Sequence, residues 1–575
     1  MKAYKKEYQR WLDSPALSDT QWQELNAIAD NDDEIESRFY APLQFGTAGL
    51  RGVMGMGTNR MNVHMIRHTT QAFANVILRK GEKAAEAGIV ICYDCRINSC
   101  EFAQEAACVM SGNGIKVRLF EAMRPTPELS FAIRYYGAAA GINITASHNP
   151  KEYNGYKVYW SDGAQLPPRQ AEEIADEMEK TDVFSGIVKA DYEQSVASGM
   201  IELIGSETDE AFLKCVLGQA IDRNVVSSVA DRLKIVYTPF HGAGHILVPE
   251  ALKRLGITQV IPVPEQMVID GTFPTVASPN PENPEGFRLA VELAERVDSD
   301  LIIGTDPDSD RVGVMVRGKD GEYRPITGNQ MGVLLLDYII GARQRTGTMP
   351  DRPAAIKTIV TTGMARTVAE KNGVFMADTF TGFKFMAEKI AEFEEQESYR
   401  YLLAYEESYG YMMGDYVRDK DAVTASMMIA EMAAYYMNRG MTLADAMEEL
   451  YEKYGYFGEQ TVNIVMPGID GAEKMAGMMK NLRTDPPAEI AGVGVVKIRD
   501  YLSGVISIRG LGSVEPTEIK GSNVIYFELE DGSTFILRPS GTEPKLKIYI
   551  LVKGADRAEC DAKAETLVKF AESLS

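Results

Sequence analysis

The stretch GIVICYDCRINSCEFAQEAACVMSGNG, residues 88–114, decides the fold class. Its first half is an apolar run of strand length that breaks into a polar loop at Asp94. Its second half, EFAQEAACVMSGNG, has the pattern of a helix. LKIVYTPFHGAG (233–244) repeats the form, and AIKTIVTTGMA (355–365) repeats it again. Three copies of one strand–loop–helix cadence predict three α/β domains of similar plan, although the copies share no strong residue-level identity.

The two ends differ from this plan. The opening 40 residues are charged and helical in pattern. Near the C-terminus, SNVIYFELEDGSTFILRPSGTEPKLKIYILVKG (522–554) alternates apolar and polar residues, with Asp531-Gly532 as a hairpin turn. A helix rich in Ala and Glu follows, and TDPPAEIAG (484–492) reads as a loop. These features predict a smaller antiparallel α+β domain. The expected division is 1–205, 206–325, 326–455 and 456–575.

Composition narrows the function classes. The 575 residues carry 60 Lys and Arg against 82 Asp and Glu, a net charge of −22. A nucleic-acid or membrane-surface protein would normally show a basic face, so neither partner is expected. An anionic small ligand stays open, because a local cluster of Arg and Lys overrides the global field within a Debye length of ~8 Å. Of six cysteines only Cys92 and Cys95 form a tight pair, and no second pair completes a zinc site. So few thiols fit a reducing cytosol. The start, MKAYKKEYQRWLDS, has no apolar stretch, and the most apolar helical run, Thr424–Met437, is too short for a bilayer and contains Glu431. The protein is therefore expected to be soluble and cytoplasmic.

Four segments could carry chemistry. In DSDLIIGTDPDSDRVGVMVRG a buried strand delivers Asp306, Asp308 and Asp310 at i, i+2 and i+4, and a second strand leaves. An EF-hand starts with this spacing, but its sixth position requires Gly and its twelfth Glu; here they are Arg311 and Arg317. A solvated acidic turn is the plain alternative. Three acids between apolar strands would repel one another, and a cation relieves that cost. Three protein ligands leave open positions, which suits Mg²⁺ together with a phosphate. LRPSGTEPKLKIY (537–549) brings Arg538 to a turn of small residues, a plausible cradle for a phosphate dianion as well as a plain hairpin turn. QFGTAGLRGVMGMGTNRMN (44–62) is Gly-rich and bears Arg51 and Arg60, but fits no dinucleotide fingerprint: no strand clearly precedes it and no helix opens on its last Gly. In GINITASHNPKEYNGYKVYW (141–160), Ser147 and His148 adjoin in a polar turn without a hydrolase elbow. A serine, a metal loop and a phosphate cradle together suggest phosphoryl transfer through a phosphoserine, chemistry that needs positioning and charge neutralisation more than a strong base.

With these residues in view, the chain resembles the α-D-phosphohexomutases, the phosphoglucomutase/phosphomannomutase superfamily, over essentially its whole length. TASHNPKEYNGYK looks like the family's phosphoserine loop, DPDSDR its metal loop, EESYG (406–410) its sugar-recognition loop and RPSGTEPK its phosphate loop. The resemblance implies four domains around a central cleft, three related mixed-sheet α/β domains and an α+β domain. It implies phosphorylation at Ser147, and Mg²⁺ held by Asp306, Asp308, Asp310 and a phosphoserine oxygen. Arg311 would touch the phosphoserine. Glu406 and Ser408 would bond sugar hydroxyls, and Arg538, Ser540, Gly541 and Thr542, with Lys545, would grip the distal phosphate. Arg51, His148 and Lys157 would line the transfer site, with Lys157 or Arg51 moving the proton. TFTGFKFMAE (379–388), with Lys384, and RDKDAV (418–423) resemble glucomutases, whereas bacterial phosphomannomutases tend to carry a histidine where Phe383 stands. The implied activity is interconversion of glucose 1-phosphate and glucose 6-phosphate, with glucose 1,6-bisphosphate as intermediate and activator, in a monomer or weak homodimer. Phosphomannomutase and phosphopentomutase are the alternatives within the superfamily.

Overall fold

The computed structural model describes residues 2–46, 49–466, 468–510, 513–540 and 545–574. It forms two compact units: Met1–Thr327 with Ser408–Thr442, and Gly328–Glu407 with Leu443–Ser575.

The first unit holds two mixed sheets. In the six-stranded sheet, Ile89–Tyr93 lies between Ala140–Ile144 and Val117–Phe120, all parallel, with Ile201–Ile204 beyond. Tyr153–Trp160 runs antiparallel to Ala140–Ile144 and carries Leu50–Val53 on its far side. The cadence of residues 88–114 is thus a central strand, fully buried along its length, followed by the helix Ser99–Gly112. Burial on both faces explains its continuous apolar run, since no face is left for polar alternation. The five-stranded sheet is built likewise around Lys234–Thr238, flanked in parallel by Gln259–Pro262 and Leu301–Thr305. Leu301–Thr305 then pairs antiparallel with Val312–Arg317, so the acidic residues occupy the turn between two buried strands.

Three N-terminal helices, Ala3–Leu12, Asp19–Asn26 and Asp32–Phe39, bring Tyr4, Trp11, Leu25 and Phe39 into the core of the first sheet. The helix Ala422–Asn438 also belongs to this unit, packing on Gly244–Leu255. Its Glu431 is fully buried and accepts the N–H groups of Ile221 and Asp222, which explains an acid inside the most apolar helix of the sequence. Among the described residues, no helix is long and apolar enough to cross a membrane.

The second unit contains three parallel strands, Phe375–Thr379, Pro353–Thr358 and Arg400–Glu406. The helix Gly328–Thr346 packs on the last of them, where a Cβ at Gly332 would lie 1.9 Å from the Tyr405 ring. Only a glycine permits that approach. An antiparallel sheet follows, in the order Tyr456–Val465, Lys545–Gly554, Thr534–Pro539, Ile525–Leu529, Val493–Asp500, Val505–Ile508 and Ser513–Pro516. The Asp531-Gly532 turn joins two of its strands as its sequence predicts, with Gly532 at φ +80°. The Ala- and Glu-rich helix is Arg557–Glu572.

One local expectation changes. Residues 484–492 contain a short strand, Glu489–Ile490, paired with Val493–Asp500, rather than loop throughout. The Gly-rich segment 44–62 contains the edge strand Leu50–Val53 and ends at Asn62, whose side chain caps the helix Val63–Arg79. A four-residue edge strand with a central glycine has too weak an alternation to stand out in sequence.

Candidate active site

Ser147 follows the strand Ala140–Ile144 and is 3% exposed. It adopts the left-handed region, φ +52°, which a non-glycine residue holds only when its surroundings enforce it. Its Oγ donates to Oδ2 of Asp306 at 2.8 Å and lies 3.2 Å from Nδ1 of His148. Burial, then the charges of Arg311 and Arg51, holds the His148 pKa well below its usual value, so the imidazole is neutral.

The acids of the metal loop are buried, and Asp306, Asp308 and Asp310 bring one oxygen each within 4.8 Å of one another. Burial and the neighbouring carboxylates raise the Asp306 pKa well above the ordinary range. Burial and Asp308 raise that of Asp310, against the pull of Lys420 and Lys157. Burial opposes ionisation of Asp308 too, but Lys157, by charge and hydrogen bond, outweighs it and holds Asp308 well below the usual range. The Lys157 ammonium is 2.8 Å from Asp308 Oδ2 and 3.7 Å from Asp310 Oδ2. Oδ1 of Asp308 and Oδ1 of Asp310 are buried without a protein hydrogen-bond partner. Oxygen donors with spare lone pairs, in a cluster that resists full ionisation, fit a hard divalent cation.

Arg51 and Arg311 adjoin this centre. Arg51 donates to Oδ1 of Asn149 at 3.0 Å, and burial with the charges of Arg311 and Arg96 lowers its pKa. Arg311 donates its backbone N–H to Asp306 and its guanidinium to Glu282. Ser408 is half-buried in the same unit.

In the second unit, Glu406 ends the strand Arg400–Glu406, is 5% exposed and accepts the N–H of Gly382. That contact ties it to the N-terminus of the helix Phe383–Glu395, which carries Lys384. The Lys384 ammonium lies 4.7 Å from the Phe385 ring centroid, and burial lowers its pKa. Phe383 is buried. Arg538, on the strand Thr534–Pro539, donates to the Tyr549 hydroxyl at 3.4 Å, and the N–H of Ser540 bonds the carbonyl of Lys545 at 2.8 Å. Gly541 and Thr542 lie outside the described residues.

Several buried polar residues were not picked out as site residues from the sequence. Lys420 is 3.3 Å from Asp310 and 3.0 Å from Asp419, and Asp419 also accepts from Tyr159 and Gln165. A lysine between two acids in RDKDAV was the available signal. Thr126 grips Asp308 twice, by its hydroxyl to Oδ2 at 3.0 Å and its N–H to the carbonyl at 2.8 Å, and accepts from Asn143. Glu407 accepts from the hydroxyls of Thr358 and Thr361, and burial, then Glu406, raises its pKa.

The fold and this centre define a class: a multidomain α/β protein that presents a constrained serine to a cluster of metal-type carboxylates. Comparison with known proteins gives the family. Residues 42–184, 210–320 and 327–454 match the models of phosphoglucomutase/phosphomannomutase α/β/α domains I, II and III. The phosphoglucomutase of Staphylococcus saprophyticus is 36% identical over 521 residues, 90% of this chain and 92% of that protein. The chain belongs to the phosphoglucomutase/phosphomannomutase family of the α-D-phosphohexomutase superfamily. Among solved structures, the phosphoglucomutase parafusin from Paramecium, in its open form, has the same fold, with a TM-score of 0.67 at 18% identity over 93% of this chain and 95% of that one. An N-acetylphosphoglucosamine mutase from Aspergillus fumigatus, in complex with GlcNAc-6P and magnesium, has a TM-score of 0.51 at 13% identity over 100% of this chain and 99% of that one.

Proposed function

We propose that this phosphohexomutase interconverts α-D-glucose 1-phosphate and glucose 6-phosphate through a phosphoserine at Ser147. The observation that carries the reading is the Ser147 hydroxyl 2.8 Å from Asp306, within a buried carboxylate cluster that retains unpartnered oxygens. Asp306, Asp308 and Asp310, with a phosphoserine oxygen, would hold Mg²⁺, the metal present in the Aspergillus relative. The ion would supply charge neutralisation at the phosphoryl group.

The chain's own residues do the rest. The sugar hydroxyl attacks phosphorus, the bond from phosphorus to Ser147 Oγ breaks, and Oγ returns to the position in which it bonds Asp306. The proton balance closes if Lys157, between two carboxylates, or Arg51, with its lowered pKa, gives a proton to the departing Ser147 Oγ and recovers the one released by the sugar hydroxyl. Neutral His148 and cationic Arg311 orient the phosphoryl oxygens. Glucose 1,6-bisphosphate reverses end for end, and Ser147 takes back the other phosphate. Arg538, Ser540, Gly541, Thr542 and Lys545 clamp the distal phosphate. Glu406 and Ser408 bond sugar hydroxyls in both poses, with Lys384 at the sugar. Domain boundaries near 205, 325 and 455 accompany this assignment of loops. Curated relatives at 36% identity favour glucose over mannose or a pentose.

The test is a coupled assay with the 1-phosphates of glucose, mannose, glucosamine and ribose, alongside intact-mass mapping of phosphate to Ser147. Glucose should be turned over best, and Ser147→Ala should abolish turnover. Equal or better turnover of mannose overturns the substrate, and full activity of Ser147→Ala overturns the mechanism.

A further inference from the structure

We propose that Asp94 and Arg96 are positioning residues that hold the backbone of Ser147 at both ends and thereby set the phosphoryl-donor geometry; this rests on the phosphoserine reading above. Both side chains are fully buried, in the loop that leaves the strand Ile89–Tyr93. Oδ2 of Asp94 accepts the Thr145 hydroxyl at 2.6 Å, and Thr145 Oγ1 in turn accepts the N–H of Ser147 at 2.8 Å. Arg96 completes the grip from the other side. Its Nη2 donates to the carbonyls of Ser147 and Asn149, and its Nη1 to those of Pro150 at 2.9 Å and Tyr153 at 3.0 Å. One planar guanidinium therefore gathers four carbonyls of the phosphoserine loop, an arrangement that its fixed fork of donors permits and a lysine cannot reproduce.

The bracket is itself fixed. Arg96 Nε is 3.3 Å from Asp94 Oδ2, and the N–H of Arg96 and the Ser99 hydroxyl donate to Asp94 Oδ1. The Phe273 ring lies 5.1 Å from the guanidinium carbon. Behind the loop, a Cβ at Gly271 would meet the carbonyl of Cys95 at 2.6 Å and the amide nitrogen of Ile97 at 2.7 Å, so backbone abuts backbone there.

The consequence falls on the torsion angles of Ser147. Its left-handed φ is unfavourable for a residue with a Cβ and persists because the N–H and the carbonyl are both anchored. Loss of either anchor lets the residue relax toward extended backbone, and Oγ swings away from Asp306 and His148. Neither Asp94 nor Arg96 contacts Oγ, so their effect on phosphoryl transfer is through placement. Displacement of a reacting atom by about 1 Å is enough for a ~100-fold rate loss.

Steady-state kinetics of the full chain with glucose 1-phosphate and glucose 1,6-bisphosphate test this in Arg96→Ala, Arg96→Lys and Thr145→Val. Arg96→Ala should lose about a hundredfold in kcat with KM within about twofold of wild type, Arg96→Lys should fall between, and added guanidinium should restore Arg96→Ala several-fold. Thr145→Val, which keeps shape and removes the hydroxyl bridge, should lose about tenfold in kcat at constant KM and carries the test if Arg96→Ala does not fold. A kcat within threefold of wild type in the folded variants, a parallel collapse of affinity, or no response to guanidinium overturns the proposal. Phosphate mapped to Ser147 in the wild type keeps the two readings separable. If it is present and the kinetic split is missing, only the positioning role fails; if it is absent and Ser147→Ala is active, the phosphoserine reading fails.

Discussion

Replacing Lys157 with methionine tests whether the acid cluster is held by that one ammonium. The substitution keeps the length of the side chain and removes the charge 2.8 Å from Asp308 and 3.7 Å from Asp310. Lysine and partners are buried, so the loss leaves Asp308 out of water without its nearest ammonium, with Lys420 as the remaining counter-charge of the cluster. Breaking such a pair from one side costs about 3–5 kcal/mol. In a unit of this size each kcal/mol shifts the midpoint by roughly 1.3 °C, so the first unit should melt about 4–7 °C lower at pH 7 with the metal chelated. The pH dependence has a defined sign. Lys157 depresses the folded-state pKa of Asp308, so its stabilisation is present above the unfolded carboxylate pKa of about 4 and is lost as pH falls through the depressed value. Without Lys157 the burial of Asp308 is opposed only by Asp306 and Lys420, so its pKa rises relative to wild type, and the variant gains stability as the acids protonate. The gap between variant and wild type should therefore be widest near pH 7 and shrink toward pH 4. Excess Mg²⁺ should also raise the variant's midpoint more than that of wild type. Differential scanning calorimetry with and without chelator, from pH 4 to 7.5, measures all of this. A midpoint within 1 °C of wild type at pH 7, or a gap that widens on acidification, refutes the reasoning.

Arg538→Ala should raise KM by about 10–100-fold, the loss of one charge-assisted contact, with kcat nearly unchanged; a kcat loss at unchanged affinity contradicts a distal-phosphate clamp. Gly155→Ala should abolish mutase activity and lower the melting temperature, because its Cβ would stand 2.4 Å from the carbonyl of Thr145 and 3.0 Å from that of Leu50, backbone atoms that cannot step aside. Normal turnover in that variant would show that the loop yields. Burial, then Arg67, depresses the pKa of His64 to about 4, so the neutral ring is part of the fold. Acidification from 6.5 to 4 should cost about 3 kcal/mol through this residue, and His64→Gln should flatten that part of the stability profile measured by urea titration. An unchanged acid limb would remove His64 from the acid response.

The order of elements and the loops at 147 and 306–310 were legible because each rests on local pattern. A strand buried on both faces writes itself as an unbroken apolar run, and three acids in a five-residue turn need a reason within that turn. The partners of those loops were not legible. Thr126 reaches Asp308 across 182 residues and Asp94 reaches Thr145 across 51, so only tertiary structure brings each pair together. Arg96 spends its donors on carbonyls, which every residue has and no sequence pattern marks. Lys420 was visible only as part of a family signature, and its pairing with Asp310 depends on a segment returning from beyond residue 407. The strand Leu50–Val53 was missed because four residues at an edge carry little periodicity.

That returning segment has a consequence for the order in which the molecule can be made. The first unit needs Ser408–Thr442, but those residues leave the ribosome only after Gly328–Glu407 has been synthesised. The 115 residues between Thr327 and Thr442 take roughly 6–23 s at 5–20 residues per second. For that interval the helix Gly244–Leu255 lacks its partner Ala422–Asn438, and Ile221 and Asp222 lack the carboxylate of Glu431. A nascent chain stopped at residue 327 is a unit with an open seam, a natural client for a chaperone, and a gene cut there would not yield two halves that fold apart.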